Sequence, residues 1–257
     1  MNKKIVFQFT ALTLGITLLT WGGAAVLGQL GITFDNHPWM WGLFVIGGLS
    51  PTYVSYIVLK RNGEVSGFKE WLKNVFHFNA KLSHYLLVIL FVALFFGTHI
   101  AVSGLAEMQP IYMFFVMLPM MLIGGGLEEA GWRYILQPEL DKKYGFFISS
   151  AITGIIWWAW HIPLFFIPGT GQHDYINFWM FAVMIIGGTF FYGAIVRVAG
   201  KAVVFLSILA HTLFNSAFNT FVFYETWAGA IAAFAVMICV SSVIVLVHKR
   251  RQEVGGG

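Results

Sequence analysis

The stretch that decides the fold is IYMFFVMLPMMLIGGGLEEAGWRYIL, residues 111–136. It is long enough to cross a bilayer, because a membrane-spanning helix needs about 20 mostly apolar residues. It also carries three charged side chains, Glu128, Glu129 and Arg133. Insertion scales put the cost of one charged residue at the centre of such a helix at roughly 2.5–3.5 kcal/mol. Charges at this depth usually mark a functional site, so the stretch predicts a membrane helix that carries one.

The composition of the whole chain supports a membrane protein. Of its 257 residues 58% are hydrophobic and 10% are charged, and the mean hydropathy is +0.78. A soluble domain has about 25% charged residues. The single cysteine, Cys239, excludes a disulfide framework and a cysteine-based metal site. The basic residues fall in short loops between apolar runs, so the pI near 9.2 indicates membrane topology and no nucleic-acid partner.

Eight apolar segments are long enough to span a bilayer. The predicted fold is therefore all-α, a polytopic bundle of about eight transmembrane helices. We predict one integral-membrane domain, residues 1–254, with 255–257 as a terminal tag scar. The predicted spans are 5–27, 39–59, 83–104, 111–136, 146–167, 176–196, 202–222 and 226–247.

The distribution of lysine and arginine predicts the orientation. Of the 15 such residues, 14 lie in the N-terminus, the C-terminal tail and three alternate connecting segments, 60–82, 137–145 and 197–201. The four remaining loops contain none. Cytoplasmic loops are enriched in lysine and arginine, so both termini are predicted to be cytoplasmic, in a bacterial cytoplasmic membrane.

The three charges in the deciding stretch have different predicted roles. On a helix, Glu129 and Arg133 are four residues apart and meet on one face as a buried ion pair. Glu128 is rotated by about 100° and faces elsewhere. The alternative is that all three cap a helix end at the interface. Against it, Glu128 lies nine residues before Gln137, or ~14 Å, which is too deep for a short side chain to reach water.

Two other apolar segments carry polar side chains. His161 follows three tryptophans in IIWWAWHIP, and alone it equally fits an ordinary hydrogen-bonded core histidine. His211 and Asn215 are one turn apart in LAHTLFNSA and share a helix face.

A carboxylate, two imidazoles and an amide suit hydrolysis. A buried carboxylate can act as a general base towards water, and an imidazole and an amide can stabilise an oxyanion. Two histidines and one carboxylate also suit zinc, with Glu128, His161 and His211 as its ligands. The sequence contains no HExxH motif, which excludes the zincin arrangement.

The motifs resemble those of the CPBP intramembrane proteases, which include type 2 CAAX prenyl proteases and bacteriocin-processing or self-immunity (Abi) proteins. The family pattern is EExxxR, then FxxxH, then HxxxN or HxxxD. The first block matches at Glu128 to Arg133 and the third at His211 to Asn215. The second has Trp157 in place of the usual phenylalanine, followed by His161.

The resemblance implies a role for each residue. Glu128 and His161 would activate the attacking water, and His211 and Asn215 would hold the oxyanion. Glu129 and Arg133 would support the first motif helix. The resemblance also implies a cavity open to the cytoplasmic side, and a mechanism that needs no cofactor, with zinc or another divalent metal as the alternative.

The sequence thus predicts an intramembrane endopeptidase acting on a peptide or a membrane-anchored protein, with the motif core at about 111–222. Bacteriocin processing, signal-peptide processing and self-immunity are the family-level roles. The alternative is a non-catalytic immunity or partner-binding protein with the same fold. A cation transporter is disfavoured because the predicted spans contain no acidic residue outside the Glu128–Glu129 pair.

Overall fold

The computed structural model describes residues 1–255, which are mostly helical. Glycines 256 and 257, part of the predicted scar, lie outside the described residues. The helices are α1 (Lys3–Gln29), α2 (Met40–Gly48), α3 (Ser50–Arg61), α4 (Phe68–Val75), α5 (Leu82–Ser103), α6 (Tyr112–Ile123), α7 (Glu129–Gly131), α8 (Gln137–His161), α9 (Gly171–Asp174), α10 (Phe178–Val198), α11 (Val203–Phe218) and α12 (Trp227–Gly255).

The all-α membrane bundle predicted from the sequence is confirmed, but the count of eight spans is not. Among the described residues, five helical stretches are long and apolar enough to cross a membrane, or six if the bent pair α2 and α3 forms one span. One of these stretches is Tyr112–Phe166, which covers nearly all of two predicted spans, 111–136 and 146–167. The predicted span 202–222 is the apolar helix α11, which has only 16 residues.

The segment 137–145, predicted as a loop, is helical and ends in a kink. Gly145 has φ +73°, a left-handed conformation that favours glycine. Lys142 and Lys143 lie before the kink, and the apolar part of α8 follows it. A 3₁₀-helix, Ile162–Phe166, continues α8 beyond His161 and contains Pro163. The kink therefore separates a charged helical turn from the span that carries the second motif.

Two short strands join the ends of α5 and α11. Strand β1 (Leu105–Met108) pairs antiparallel with β2 (Phe221–Phe223). The backbone N–H of Gln109 also donates to the carbonyl of Thr220 at 2.9 Å. The pairing of these two strands fixes the end of α11 that lies beyond the third motif.

Helices from both halves of the chain surround the charged stretch. Helix α10 packs against α8 and α12, α11 packs against α5 and α6, and α1 packs against α2 and α3. The short helix α7, which carries Glu129, lies between α3 and α11. Aromatic side chains fill the contacts, as where Phe91 of α5 stacks on Phe191 of α10 with ring centroids 4.0 Å apart. The charged stretch is thus enclosed by protein.

Candidate functional site

The backbone around the first motif is irregular, which corrects the continuous helix predicted over 111–136. Helix α6 ends at Ile123, and a 3₁₀-turn, Gly126–Glu128, follows it. After α7 the chain forms a π-helical turn, Trp132–Leu136. Short π-helical turns are rare and occur frequently at functional sites. Because the helix type changes here, the directions of the Glu128 and Glu129 side chains cannot be derived from their spacing along an ideal α-helix.

The ion pair predicted for Glu129 and Arg133 is present despite this irregularity. Arg133 Nε lies 2.9 Å from Glu129 Oε2, and both side chains are fully buried. The guanidinium also lies over the ring of Tyr192, 4.4 Å from its centroid, and 5.3 Å from that of Trp157. Cation–π contacts of this kind stabilise a desolvated arginine. Tyr192 was not identified from the sequence, because its contact with Arg133 joins distant parts of the chain.

Glu129 has a second partner that the sequence did not predict. Its Oε1 accepts a hydrogen bond of 2.9 Å from Nδ1 of His211. Because Nδ1 carries the hydrogen of this bond, Nε2 of His211 is the ring nitrogen left for another partner. Glu129 therefore connects Arg133, in its own segment, to the histidine of the third motif.

Glu128 has no cationic partner in the described structure and is instead held by two indoles. Its Oε2 accepts a hydrogen bond of 3.0 Å from Trp157 Nε1 and one of 3.4 Å from Trp132 Nε1. The side chain is almost completely buried. The different roles predicted for the two acids thus correspond to different surroundings, an ionic one for Glu129 and an aromatic one for Glu128.

Trp157 also positions His161. The carbonyl oxygen of Trp157 accepts a hydrogen bond of 2.8 Å from Nδ1 of His161, one turn later in α8. The imidazole is buried, with its ring centroid 4.6 Å from that of Trp160 and 5.1 Å from that of Phe181. Its Nε2 is left for another partner. The sequence showed Trp157 only as the aromatic residue of the second motif, although its i, i+4 spacing from His161 signals this bond.

Two of the three glycines before Glu128 allow the close approach of α11. A Cβ atom on Gly125 would overlap the amide nitrogen of Asn215 and lie 3.1 Å from His211 Nε2. A Cβ atom on Gly126 would overlap the hydroxyl of Thr212. The nearest such contact of Gly124 is the carbonyl oxygen of Met120 in its own segment. The missing side chains of Gly125 and Gly126 thus permit the close packing of α11 against this segment.

A cavity of about 300 Å³ brings the predicted site residues together. Glu128, His161, His211 and Asn215 all line it, and most of its remaining wall is apolar and aromatic. Such a cavity, with a few converging polar groups, is typical of a binding or active site. The apolar and aromatic lining includes Trp21, Phe44, Phe91, Phe181, Met184, Ile185, Phe214 and Phe218.

The predicted opening of this cavity to the cytoplasmic side is not confirmed. Its lining includes Gln172 and Ile176, which lie in the segment between α8 and α10 that contains no lysine or arginine. The lining residues include none from the lysine-containing segments 60–82 and 137–145. The cavity therefore reaches the end of the bundle at which α8 and α10 are connected.

The residues of the site do not fit the zinc alternative in this arrangement. Within the described part of the chain, no three histidine, cysteine, aspartate or glutamate side chains are grouped closely enough to hold a metal ion. One ring nitrogen of His211 is bound to Glu129 and one of His161 to a backbone carbonyl, so only Nε2 of each ring is left as a donor for a metal. The donor set Glu128, His161 and His211 lines one cavity without forming a metal-binding cluster.

Two comparisons with known proteins concern this region. Residues 109–217 match the family described as type II CAAX prenyl endopeptidase Rce1-like. CAAX prenyl protease 2 of Methanococcus maripaludis is 34% identical over 64 residues, which are 25% of this chain and 24% of that protein. This chain therefore matches about a quarter of the length of the curated relative. The range 109–217 contains all three motifs, so the resemblance predicted from them is confirmed.

Proposed function

We propose that this chain, whose residues 109–217 match the family described as type II CAAX prenyl endopeptidase Rce1-like, is an intramembrane endopeptidase. The substrate class is a peptide or a membrane-associated protein. The observation that carries the proposal is the cavity into which Glu128, His161, His211 and Asn215 converge from three separate segments. These are the groups that hydrolysis of a peptide bond requires: a base for water, and donors for the oxyanion.

Glu128 and His161 form the water-activating side of the cavity. A water molecule between them donates its proton to the Glu128 carboxylate as its oxygen attacks the carbonyl carbon of the substrate. His161 presents Nε2 to the same water, because its Nδ1 is bound to the Trp157 carbonyl. As the C–N bond breaks, the proton held by Glu128 passes to the leaving amine. The wall around Glu128 is apolar, which keeps bulk water away from the carboxylate.

His211 and Asn215 form the oxyanion-binding side. The Asn215 amide donates directly through Nδ2. His211 donates through Nε2 only when both ring nitrogens carry hydrogen, since Nδ1 already donates to Glu129. The imidazolium this requires is stabilised by the Glu129 carboxylate, 2.9 Å away. Glu129 is thus a positioning residue, which acts through His211 and does not touch the substrate.

A single substitution tests the function. Glu128→Gln keeps an oxygen that accepts the indole hydrogen bonds but cannot take a proton from water. We expect it to abolish proteolysis while the amount of folded membrane protein stays unchanged. Comparative proteomics of cells that express wild type or this variant should reveal a peptide that remains untrimmed only with the variant. Full processing by Glu128→Gln would overturn the assignment.

The matched control is Glu64→Gln. Glu64 is exposed in the segment after α3, so its substitution removes one carboxylate without touching the cavity. It should process the same peptide as wild type does. If wild type and Glu128→Gln gave identical peptide profiles, the non-catalytic alternative would replace the protease.

Removal of metal ions tests the glutamate mechanism separately from the assignment of the protein as a protease. The arrangement of Glu128, His161 and His211 does not form a metal site, so we expect purified protein to keep its activity after treatment with a chelator. The measurement is the cleavage rate before chelation, after chelation, and after zinc is added back. A loss of activity that zinc restores would contradict the glutamate mechanism and leave the protease assignment intact.

A further inference from the structure

Helix α4, Phe68–Val75, connects two membrane segments of the bundle. Before it, α3 ends at Arg61 as the second half of the bent pair with α2. After it, α5 begins at Leu82 and is long and apolar enough to cross a membrane. The side chains of Leu82 and Leu86 are exposed, as expected on a helix face that contacts lipid. Both ends of the segment that contains α4 are therefore held near the surface of the bilayer.

One face of α4 is fixed to the rest of the protein. Its buried side chains are Trp71 and Val75, one turn apart. Trp71 Nε1 donates a hydrogen bond of 3.0 Å to the hydroxyl of Ser55 in α3. Asn74 Nδ2 donates one of 2.8 Å to the hydroxyl of Tyr134. These bonds fix the rotation of α4 about its axis, so the directions of its remaining side chains are determined.

The contacts of α4 lead to the segment that carries the first motif. Tyr134, which binds Asn74, follows Arg133 in the π-helical turn. Helix α3, which binds Trp71, is joined to the same segment, because the Thr52 hydroxyl donates to the carbonyl oxygen of Leu127 at 2.8 Å. Helix α4 therefore lies on a rigid support and is not a loosely attached connector.

Beside the buried face, α4 has an exposed apolar edge. Phe68 is 53% exposed and Leu72, one turn later, is 39% exposed. The Phe68 ring stacks on that of Trp71, with centroids 5.5 Å apart, and meets Tyr56 edge-on at 5.4 Å. The edge is thus continuous with the packed interior. Grouped apolar side chains of this kind mark a surface that contacts a membrane or a partner.

Two exposed lysines follow the apolar edge around the helix. Lys69 is rotated by about 100° from Phe68, and Lys73 by the same angle from Leu72. Among the described residues, neither lysine forms an ion pair. The Glu70 carboxylate, between them in sequence, accepts instead from the backbone N–H of Ser66 at 2.7 Å. The whole segment 60–82 has five lysine and arginine residues against two glutamates. Its free charge is therefore positive and lies next to the apolar edge.

We propose that α4 lies in the membrane interface, with Phe68 and Leu72 among the first carbons of the acyl chains and Lys69 and Lys73 bound to the phosphates of anionic lipids. An apolar edge beside a basic one is the pattern of helices that lie in the plane of the interface. The lysine stems are long enough to bring their charges to the level of the headgroups. The partner is thus an anionic lipid surface. This proposal does not depend on the protein being a protease.

Fluorescence quenching by spin-labelled lipids tests the position of α4. The single native cysteine is first replaced by Cys239→Ser. Leu72→Cys is then labelled with bimane, and the full chain is reconstituted in phosphatidylcholine vesicles whose lipids carry a nitroxide near the glycerol end of one acyl chain. The matched control is Glu70→Cys, about 160° around the helix from Leu72. We expect strong quenching at position 72 and much weaker quenching at position 70.

The same probe tests the preference for anionic lipid. Quenching by spin-labelled phosphatidylglycerol is compared with quenching by spin-labelled phosphatidylcholine, which gives their relative binding constant at α4. A lysine near an anionic surface contributes about fivefold to binding, so we expect a preference of about fivefold or more for phosphatidylglycerol. The double variant Lys69→Gln, Lys73→Gln should remove it. The control is Lys249→Gln with Arg250→Gln, which makes the same charge change on the exposed end of α12 and should leave the preference unchanged.

Three outcomes would overturn the proposal. Equal quenching at positions 70 and 72, or none at 72, would show that the apolar edge is not in the acyl region. Disulfide cross-linking of unlabelled Leu72→Cys between two copies would show that a second copy covers this edge. A preference for phosphatidylglycerol that survives Lys69→Gln, Lys73→Gln would assign the anionic lipid to other basic residues. If Leu72→Cys does not fold, Phe68→Cys on the same edge replaces it.

Discussion

Glu129 Oε1 lies 2.9 Å from His211 Nδ1, across a separation of 82 residues. The same carboxylate contacts Arg133 through its other oxygen. One buried acid therefore satisfies a permanent cation and orients an imidazole whose far nitrogen faces the cavity. In the proposed mechanism, this arrangement gives the second glutamate of the motif a role without contact with the substrate.

Glu129→Gln should reduce kcat more than it raises KM. The neutral amide no longer stabilises an imidazolium at His211, which weakens one donor to the oxyanion. Loss of one such donor costs about 10²–10³ in rate. The measurement is kcat and KM on the identified peptide. A variant that raises KM alone would show that His211 binds substrate and does not act on the transition state.

Arg133→Ala should lower the amount of folded protein. It leaves Glu129 and the face of Tyr192 without their cation, and breaking a buried ion pair typically costs about 3–5 kcal/mol. The measurement is the yield of monodisperse protein and its melting temperature in detergent. Arg197→Ala is the control, because its partly exposed pair with Asp141 contributes at most about 1 kcal/mol. A well-folded but inactive Arg133→Ala would place Arg133 in the chemistry.

Gly125→Ala should impair activity with little effect on folding. The added methyl overlaps the Asn215 amide, and that side chain can rotate away only by leaving its position in the cavity. We expect kcat to fall by about 10²-fold, as for a lost oxyanion donor. Gly97→Ala in α5 is the control, since a Cβ atom there meets nothing within 4 Å. Equal activities of the two variants would remove Asn215 from the proposed mechanism.

Trp157→Phe keeps the aromatic ring but removes the shorter hydrogen bond to Glu128. Hydrogen bonds to charged groups contribute about 1.5–3 kcal/mol, so we expect activity to fall roughly 10-fold or more. Trp158→Phe is the control, because its ring nitrogen has no hydrogen-bond partner in the described structure. The comparison is made on kcat at several pH values. An unchanged profile for Trp157→Phe would mean that Trp132 alone orients Glu128.

Contacts within one segment could be predicted from the sequence. The four-residue spacing of Glu129 and Arg133 gave their ion pair, and the depth of Glu128 predicted its burial. The convergence of Glu128, His161, His211 and Asn215 on one cavity followed from the resemblance. Each of these inferences used either a helical period or a known motif order.

Contacts between distant segments could not be predicted in this way. The bond from His211 to Glu129 and the stacking of Arg133 on Tyr192 depend on how separate helices pack, which no local pattern encodes. The succession of 3₁₀-, α- and π-helical turns after Ile123 likewise arises from tertiary packing. The shape of the cavity could not be predicted for a related reason: hydropathy shows that residues are apolar but not which of them leave space between helices.

Trp157 contacts both members of the proposed water-activating pair, through its indole to Glu128 and through its carbonyl to His161. A small shift or tilt of α8 would therefore carry the base and its partner in the same direction. Trp157 of α8 thus links these two groups, whereas the proposed oxyanion donors, His211 and Asn215, belong to α11. Motions of α8 relative to α11 would accordingly change the distance between the proposed water-activating pair and the proposed oxyanion donors.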